Sequence, residues 1–484
     1  KINKRKIMSE TPKLDPSLAF ANNPIYVNTK KELDAQGCGF CLAKWTQVTI
    51  HLQMGHTHSC HHPTTHKINE SEIKRNPSAL HNTRFKKRIR KEMLEGGRPE
   101  ECHYCWDVED ASPQFSDRVF KSAESWSLPH MQEIKDLGWR GDYNPKYVEV
   151  AFSNACNFKC SYCGPSFSSA WMQEVKAEGA YPTLDKFNDL EGLIGEGKVP
   201  ILHTEHNPYV EAFWRWWPEL YRDLHTFRIT GGEPLMSKDT WGVLDYIINE
   251  PNPNKKLRLA INSNLGIPDK LVDRLIEKIQ AIEEKELVEE FIIFTSVDGY
   301  GEQAEYIRNG LNWEQFDKNV NKILSSCKRI SITVMSTFNA LSVPSYKELI
   351  DYIYGLKMKY TSSERYWNSA VFLDTSYLRY PKHQTVKILP EKWAIKIKDA
   401  ASHMNYLGIP KFEHQHVGYS DVEIQKVKRT YDWMLTDRNE EELLKQRRDF
   451  GVFFKEHDRR RETNFKEVYP ELADFYEQTQ TIKL

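Results

Sequence analysis

Between residues 145 and 360 the chain alternates short apolar runs with amphipathic stretches, and this alternation limits the possible fold more than any other feature. The runs are Tyr147–Phe152, Thr226–Thr230, Leu257–Asn262, Phe291–Val297 and Ile330–Thr337. The stretches Ser168–Gly179, Pro208–Leu224, Lys238–Asn249, Lys270–Leu287, Trp313–Ser326 and Ser345–Lys357 read as helices. Strand and helix in turn imply βα units, hence an α/β fold with a parallel sheet covered by helices. About six units make a partial TIM-like (β/α)6 barrel, and eight make the closed form. In both, the reactive groups sit at the carboxyl ends of the strands.

The first strand run leads directly into Cys156-Asn157-Phe158-Lys159-Cys160-Ser161-Tyr162-Cys163, three thiols within eight residues. Each iron of a 4Fe–4S cube takes one cysteine thiolate, so three thiols leave one iron open to chemistry. The alternatives are a zinc site completed by a distant fourth ligand, or three buried thiols without a shared role, since free cysteine is often buried as a small hydrophobe.

Six further cysteines, Cys38, Cys41, Cys60, Cys102, Cys105 and Cys327, bring the total to nine, and all but Cys327 fall in roughly the first third of the 484 residues. Lys1–Pro12 are basic and polar without an apolar signal core, so export is not expected and a cytoplasmic setting is. Crowded thiols in such a chain point to metal ligation over disulfides. No stretch approaches the roughly 20 apolar residues that span a bilayer. The net charge of −1 supplies no global attraction to nucleic acid or anionic membrane, which leaves only local patches to do so.

Residues 13–37 show no sustained periodicity and read as an irregular arm. Cys38-Gly39-Phe40-Cys41 then precedes Trp45–Leu52, whose alternation suits a strand, and the turn Gly55-His56-Thr57-His58 leads to Cys60. Such a hairpin brings Cys41 and Cys60 together. Residues 77–95 read as a helix with Leu80, Phe85, Ile89 and Met93 on one face and Arg84, Lys86, Lys87, Arg88, Arg90 and Lys91 around it. Gly96-Gly97 ends it, and Cys102-His103-Tyr104-Cys105 follows. Four thiolates from a hairpin and a knuckle can close a tetrahedral zinc site or cap a complete 4Fe–4S cube, and spacing alone leans to zinc. The basic run either touches phosphates or forms a solvated helix face that offsets a cluster's negative charge, the usual fate of a charge run.

Residues 180–207 interrupt the βα pattern with a long polar loop, either a lid or a surface insertion. Phe213-Trp214-Arg215-Trp216-Trp217 could line a pocket, but core packing explains it better. Beyond about residue 385, helices such as Ala394–Leu407 and Asp421–Lys445, Arg459-Arg460-Arg461 and an aromatic terminus suggest a tail docked on the domain.

With Cys156, Cys160 and Cys163 behind the first strand of a βα array, the chain resembles the radical S-adenosylmethionine enzymes, whose signature is Cys-x3-Cys-x-aromatic-Cys; the aromatic here is Tyr162. Thr230-Gly231-Gly232-Glu233-Pro234 after the second strand looks like the family segment that holds the methionine amino group. Asn262-Ser263-Asn264 after the third, and Ser296-Val297-Asp298-Gly299 after the fourth, look like positions facing the cofactor's ribose or carboxylate. The resemblance covers roughly residues 145–375. The family's Gly-x-Ile-x-Gly-x-x-Glu pattern is missing from the fifth strand, where Ser331–Asn339 stands.

Cys41, Gly55-x4-Cys60 and Cys102-x2-Cys105 resemble the auxiliary-cluster twitch module, a shortened relative of the SPASM domain. That module usually follows the barrel, and here it precedes it. In this company 4Fe–4S is the expected content, with all four positions filled by cysteine and a role in electron transfer or structure. Cys38 is left as a fifth local thiol, an alternative ligand or a hydrogen-atom donor.

The resemblance implies two 4Fe–4S clusters and S-adenosyl-L-methionine as cofactors. It also implies a reductant such as flavodoxin or ferredoxin, and a peptide or small-metabolite substrate for hydrogen abstraction. RNA modification through Arg84–Lys91 and a non-catalytic metal-stabilised binding protein are the competing readings. The expected organisation is an arm (1–37), a twitch-like module (38–144), a radical domain (145–384) and a helical extension (385–484).

Overall fold

The computed structural model describes residues 23–111, 115–365, 368–408, 417–436 and 438–483. Most of the expected N-terminal arm, with the basic leader, lies outside these residues. Its remainder corrects the expectation of irregular chain: Pro24–Gln36 is a helix. Asn23 caps it by accepting from the Ile25 amide, and proline occupies the first turn, where its missing N–H is harmless. The weak amphipathicity of this helix hid it from a periodicity reading.

The chain divides into two compact units. The first comprises the described residues up to Ile50, Thr57–Val148 and Arg215–Asp223. Strand β1 (Gln47–His51) and β2 (His56–His58) form the expected hairpin, and β3 (His66–Lys67) follows β2 in the sheet order. The helix expected over 77–95 is broken. Pro77–Leu80 is one 3-10 turn, and the helix proper runs Arg84–Leu94, because Thr83 turns its hydroxyl onto the Lys86 amide and caps a new start. The expected solvated face of that helix is also corrected in part. Arg84, Arg88 and Lys91 are exposed, but Lys86 and Arg90 are buried with Met93.

The second unit comprises His51–His56, Glu149–Trp214 and the chain from Leu224 onward. It holds β4 (Tyr147–Ala151) from Glu149 on, the short β5 (Lys159–Cys160), β6 (Thr226–Thr230), β7 (Arg258–Asn262), β8 (Glu290–Ser296), the short β9 (Arg308–Asn309), β10 (Ser331–Phe338) and β11 (Val371–Tyr377). β4, β6, β7, β8, β10 and β11 stand side by side in chain order, and the pairs β6–β7, β7–β8, β8–β10 and β10–β11 are parallel. Helices Lys238–Asn249, Asp269–Glu284, Trp313–Ser326 and Tyr346–Tyr360 fill the crossovers, as α/β architecture requires.

Strand periodicity sorts the two sheet faces. Val150, Phe227, Ile229, Leu259, Ile261, Phe291, Ile293, Ile332, Val334 and Leu373 are buried on one. Glu149, Arg228, Asn262, Phe294, Ser296 and Met335 alternate with them on the other and stay partly exposed. β11 was not among the predicted runs, because Asp374 and Ser376 on its exposed face dilute the apolar signal.

The tail docks within this unit. The helix expected over Asp421–Lys445 is two helices, Asp421–Leu435 and Glu440–Arg461, each with its own cap at Ser420 and Asn439. Buried Asp449 accepts from the Leu184 and Asp185 amides at 2.8 and 2.9 Å, and Tyr181 is sandwiched by the Phe453 ring and the Arg460 guanidinium. The start of the 180–207 loop is therefore pinned. Asp449→Ala removes the acceptor of two part-buried amides, a loss of about 0.5–1.5 kcal/mol for each bond. It should lower the melting temperature and speed proteolysis within 180–207; an unchanged cleavage rate there would contradict this anchoring.

Candidate active site

The three-thiol loop leaves β4 and is held by a two-strand ribbon. β5 pairs antiparallel with β9, with Lys159 opposite Asn309 and Cys160 opposite Arg308. Ser168 Oγ donates to Phe158 O at 2.7 Å, Trp171 Nε1 to Cys160 O at 2.9 Å and Asn188 Nδ2 to Cys163 O at 3.2 Å. Two sulfurs accept N–H groups: the Phe158 amide lies 3.4 Å from Cys156 Sγ and Arg308 Nη1 3.5 Å from Cys160 Sγ. Burial pushes all three thiols up, Cys163 to about 12, and each lies close enough to another that charge on one disfavours charge on the next. Metal ligation reverses that preference, because ligating sulfur is deprotonated. Buried sulfurs that already receive donors fit a thiolate-bound cluster.

Gly231–Glu233 presses on the backbone that opens this loop. The Gly232 amide donates to Ser153 O at 3.2 Å and the Glu233 amide to Ala155 O at 2.7 Å. A Cβ on Gly232 would lie 2.4 Å from Ala155 O, and Gly231 has φ +117°, so both positions exclude side chains. The buried Glu233 carboxylate takes the Leu235 amide (3.0 Å) and Ser263 Oγ (2.9 Å) on one oxygen and the Asn264 amide (2.7 Å) on the other. Burial still outweighs these bonds and pushes it up to about 7.

Asn264 Nδ2 donates to Asn157 Oδ1 at 2.9 Å, which ties the β7 end to the thiol loop. Asn262 accepts from Arg228 Nε at 2.8 Å. Ser296 ends β8 opposite Met335. Asp298 is wholly buried, and its carboxylate accepts from Arg308 Nε (2.9 Å), Tyr162 OH (2.7 Å) and the Thr337 amide (2.7 Å). Tyr162 and Asp298 thus make their bonds with the chain itself. Arg308 had no place among the expected site residues, and Ser263 stood there only within the Asn262–Asn264 stretch, with no role of its own. Arg308 lies in a two-residue strand that no periodicity could reveal, and Ser263 was passed over between two asparagines.

In the first unit Cys41, Cys60, Cys102 and Cys105 line one pocket with Lys44 and Arg118. Cys38 is exposed outside it, its sulfur 3.6 Å from Gly96 O, and Cys327 is buried at a helix end in the second unit. Burial lifts Cys41, Cys102 and Cys105 to about 12. Lys44 pairs with Glu101, and Arg118 with Glu109 and Asp34. Lys86 and Arg90 form no ion pair among the described residues. Lys86 Nζ lies 3.4 Å from Thr57 Oγ1 and 3.2 Å from His81 Nδ1, while Arg90 bonds Lys44 O, Asn82 Oδ1 and His81 Nε2. Burial draws Arg90 down to about 9 and Lys86 well below its ordinary value. Burying a cation without an ion pair is costly; Glu101 and Cys60 lie close enough to favour charge on Lys86, and Asp142 to favour it on Arg90. Among the described residues no three His, Cys, Asp or Glu side chains converge as the ligands of a single ion do.

Residues 150–344, less than half of the chain, match the model of the Radical SAM superfamily. The GTP 3′,8-cyclase of Aliarcobacter butzleri (strain RM4018) is 28% identical over 130 residues, 27% of this chain; the match spans 30% of that relative's length. Streptococcus suis SuiB bound to S-adenosylmethionine aligns with TM-score 0.30 and 13% identity over 69% of this chain and 74% of SuiB. SuiB bound to its precursor peptide SuiA aligns with TM-score 0.30 and 12% identity over 71% and 74%. Among the described residues no helix is long and apolar enough to cross a membrane.

Glu233 gives a pH test on metal-free protein. Its carboxyl binds its proton more tightly folded than unfolded, so the stability it contributes is full below about 4.5, is lost as pH rises toward 7, and stays lost above. The span corresponds to about 3 kcal/mol at most. Melting temperatures should therefore fall across this window, and Glu233→Gln should flatten the slope; an equal slope in both proteins would contradict the assignment.

Proposed function

We propose that this chain is a radical S-adenosylmethionine enzyme in which Cys156, Cys160 and Cys163 hold a 4Fe–4S cluster with one open iron. Its substrate is a peptide or small metabolite that loses a hydrogen atom. One observation carries the reading: the three-thiol loop, Gly231–Glu233 and Asn264 are bonded together at adjoining strand ends, inside a region that matches the Radical SAM superfamily. When bound, the reduced cluster supplies the electron that splits S-adenosylmethionine into methionine and a 5′-deoxyadenosyl radical.

The chain's own share is to bind, orient and exclude water. Gly231–Glu233 would fix the cofactor's ammonium group by hydrogen bonds, with the Glu233 carboxylate itself held in place by Leu235, Ser263 and Asn264. Asn262, Asn264 and Ser296 contribute polar groups toward its ribose or carboxylate. Tyr162 and Asp298 act from behind the loop, as positioning residues. The six parallel strands form the partial (β/α)6 barrel, and its half-exposed face, with Glu149, Arg228, Phe294 and Met335, orients the substrate.

Cys41, Cys60, Cys102 and Cys105 hold a second 4Fe–4S cluster without an open iron, for electron transfer or structure. The cations Lys44 and Arg118 that line the thiol pocket, and Lys86 within reach of Cys60, support it, since four thiolates carry more negative charge than a metal core cancels. The unit boundary after Val148 supports a separate N-terminal module of about residues 38–144, ahead of a radical domain of 145–384 and its extension of 385–484. A flavodoxin or ferredoxin is the fitting reductant. RNA contact through Arg84–Lys91 loses support, because two of the run's six cations are inside.

Anaerobically reconstituted protein should bind about eight irons, four for each cluster, and cleave S-adenosylmethionine under strong reductant. Cys160→Ala should abolish cleavage; cleavage retained in that variant would overturn the reading. Changing Cys102 and Cys105 together should remove about half the iron and leave the S-adenosylmethionine-responsive cluster in place. Zinc at that site in anaerobically purified protein would overturn the second cluster.

A further inference from the structure

The proposed cluster's three thiols are not equivalent. Cys156 receives a backbone N–H and Cys163 Sγ has a 3.9 Å contact with the Gly164 carbonyl, whereas Cys160 Sγ accepts directly from a guanidinium, Arg308, whose charge reaches Cys163 only at longer range. Arg308 sits opposite Cys160 in the β5–β9 ribbon and is only 7% exposed. Its guanidinium is gripped on the far side from the sulfur. Nε and Nη2 bond the two Asp298 oxygens at 2.9 and 3.2 Å, and Nη2 also reaches Tyr162 OH. Asp298 is in turn anchored by the Thr337 amide of β10. Nη1 is thereby aimed at Cys160 Sγ by three separate parts of the unit. A second buried guanidinium stands behind the same residue: Arg461 bonds Lys159 O at 3.0 Å and stacks over Trp171, whose indole donates to Cys160 O.

We propose that Arg308 is a positioning residue that sets the reduction potential of the cluster at Cys156, Cys160 and Cys163, with Asp298 and Tyr162 holding it in register. This rests on the reading of those thiols as cluster ligands. The physical basis is that reduction adds negative charge to the cluster and its sulfurs. A donor and a fixed cation beside one sulfur, in a dry site, stabilise the reduced form over the oxidised one. A purely structural ion pair between Arg308 and Asp298 would hold the ribbon together without favouring either oxidation state.

The test is a redox titration of the reconstituted full chain, followed by the electron paramagnetic resonance signal that changes when S-adenosylmethionine is added. Arg308→Gln should load iron like the wild type and lower the reduced-to-oxidised ratio at a fixed potential about tenfold, ~59 mV for a one-electron couple. Arg308→Lys, which keeps the charge but not the fork, should fall between the two. An unchanged potential in an iron-replete Arg308→Gln protein overturns the proposal. Should that variant fail to load iron, Arg308→Lys is titrated in its place, and an unchanged potential there overturns it equally. A wild type that shows no S-adenosylmethionine-responsive signal would instead overturn the cluster assignment on which the role of Arg308 depends.

Discussion

The contact on which the site depends is a backbone-to-backbone one: Gly231 and Gly232 lie so close to Ser153–Ala155 that neither tolerates a Cβ. Two amide bonds seal the approach and bring the end of β6 against the start of the three-thiol loop. Glu233 extends the junction to a third strand end through Ser263 and the Asn264 amide, and Asn264 returns to the thiol loop at Asn157. Three loops from β4, β6 and β7 are thus mutually positioned by small residues and one buried carboxylate. Rigid support of this kind is what a binding constellation needs, because a displacement of about 1 Å already degrades reactive geometry.

Charge is the second organising factor, and it acts through burial. Around Cys160 the cations are placed with care for their counter-ions: Arg308 with Asp298, Arg461 with Glu174. In the N-terminal unit Lys86 and Arg90 are buried against neutral hydrogen-bond partners, with Cys60 within electrostatic reach of Lys86 and Asp142 of Arg90. A buried cation held only by neutral groups loses its hydration without a matching Coulombic gain. Both thiol sets therefore have ion-paired cations beside them, Arg308 and Arg461 in one and Lys44 and Arg118 in the other.

Much of the second unit was legible because strand and helix periods differ: five of the six strands that stand side by side in chain order, and most crossover helices, fall within a few residues of the expected positions. The short pieces were not. β5 and β9 are two residues each, too brief for any period, yet they hold Cys160 opposite Arg308. Asp298, a cofactor position by the resemblance, bonds Arg308, Tyr162 and the Thr337 amide, partners that no local pattern reveals. The basic run of 84–91 looked like a solvated face, since a helical wheel cannot tell which cations find buried partners.

The sequence by itself determined the α/β class, the clustering of thiols at one strand end and in one N-terminal hairpin-and-knuckle, and the Gly-Gly-Glu junction. These are local matters of period, spacing and the absence of side chains. Only the tertiary structure decided what stands behind each sulfur. The partners of Cys160 come from residues 148 and 301 positions away along the chain, and such long-range pairings are set by how strands and helices pack, which no local pattern encodes.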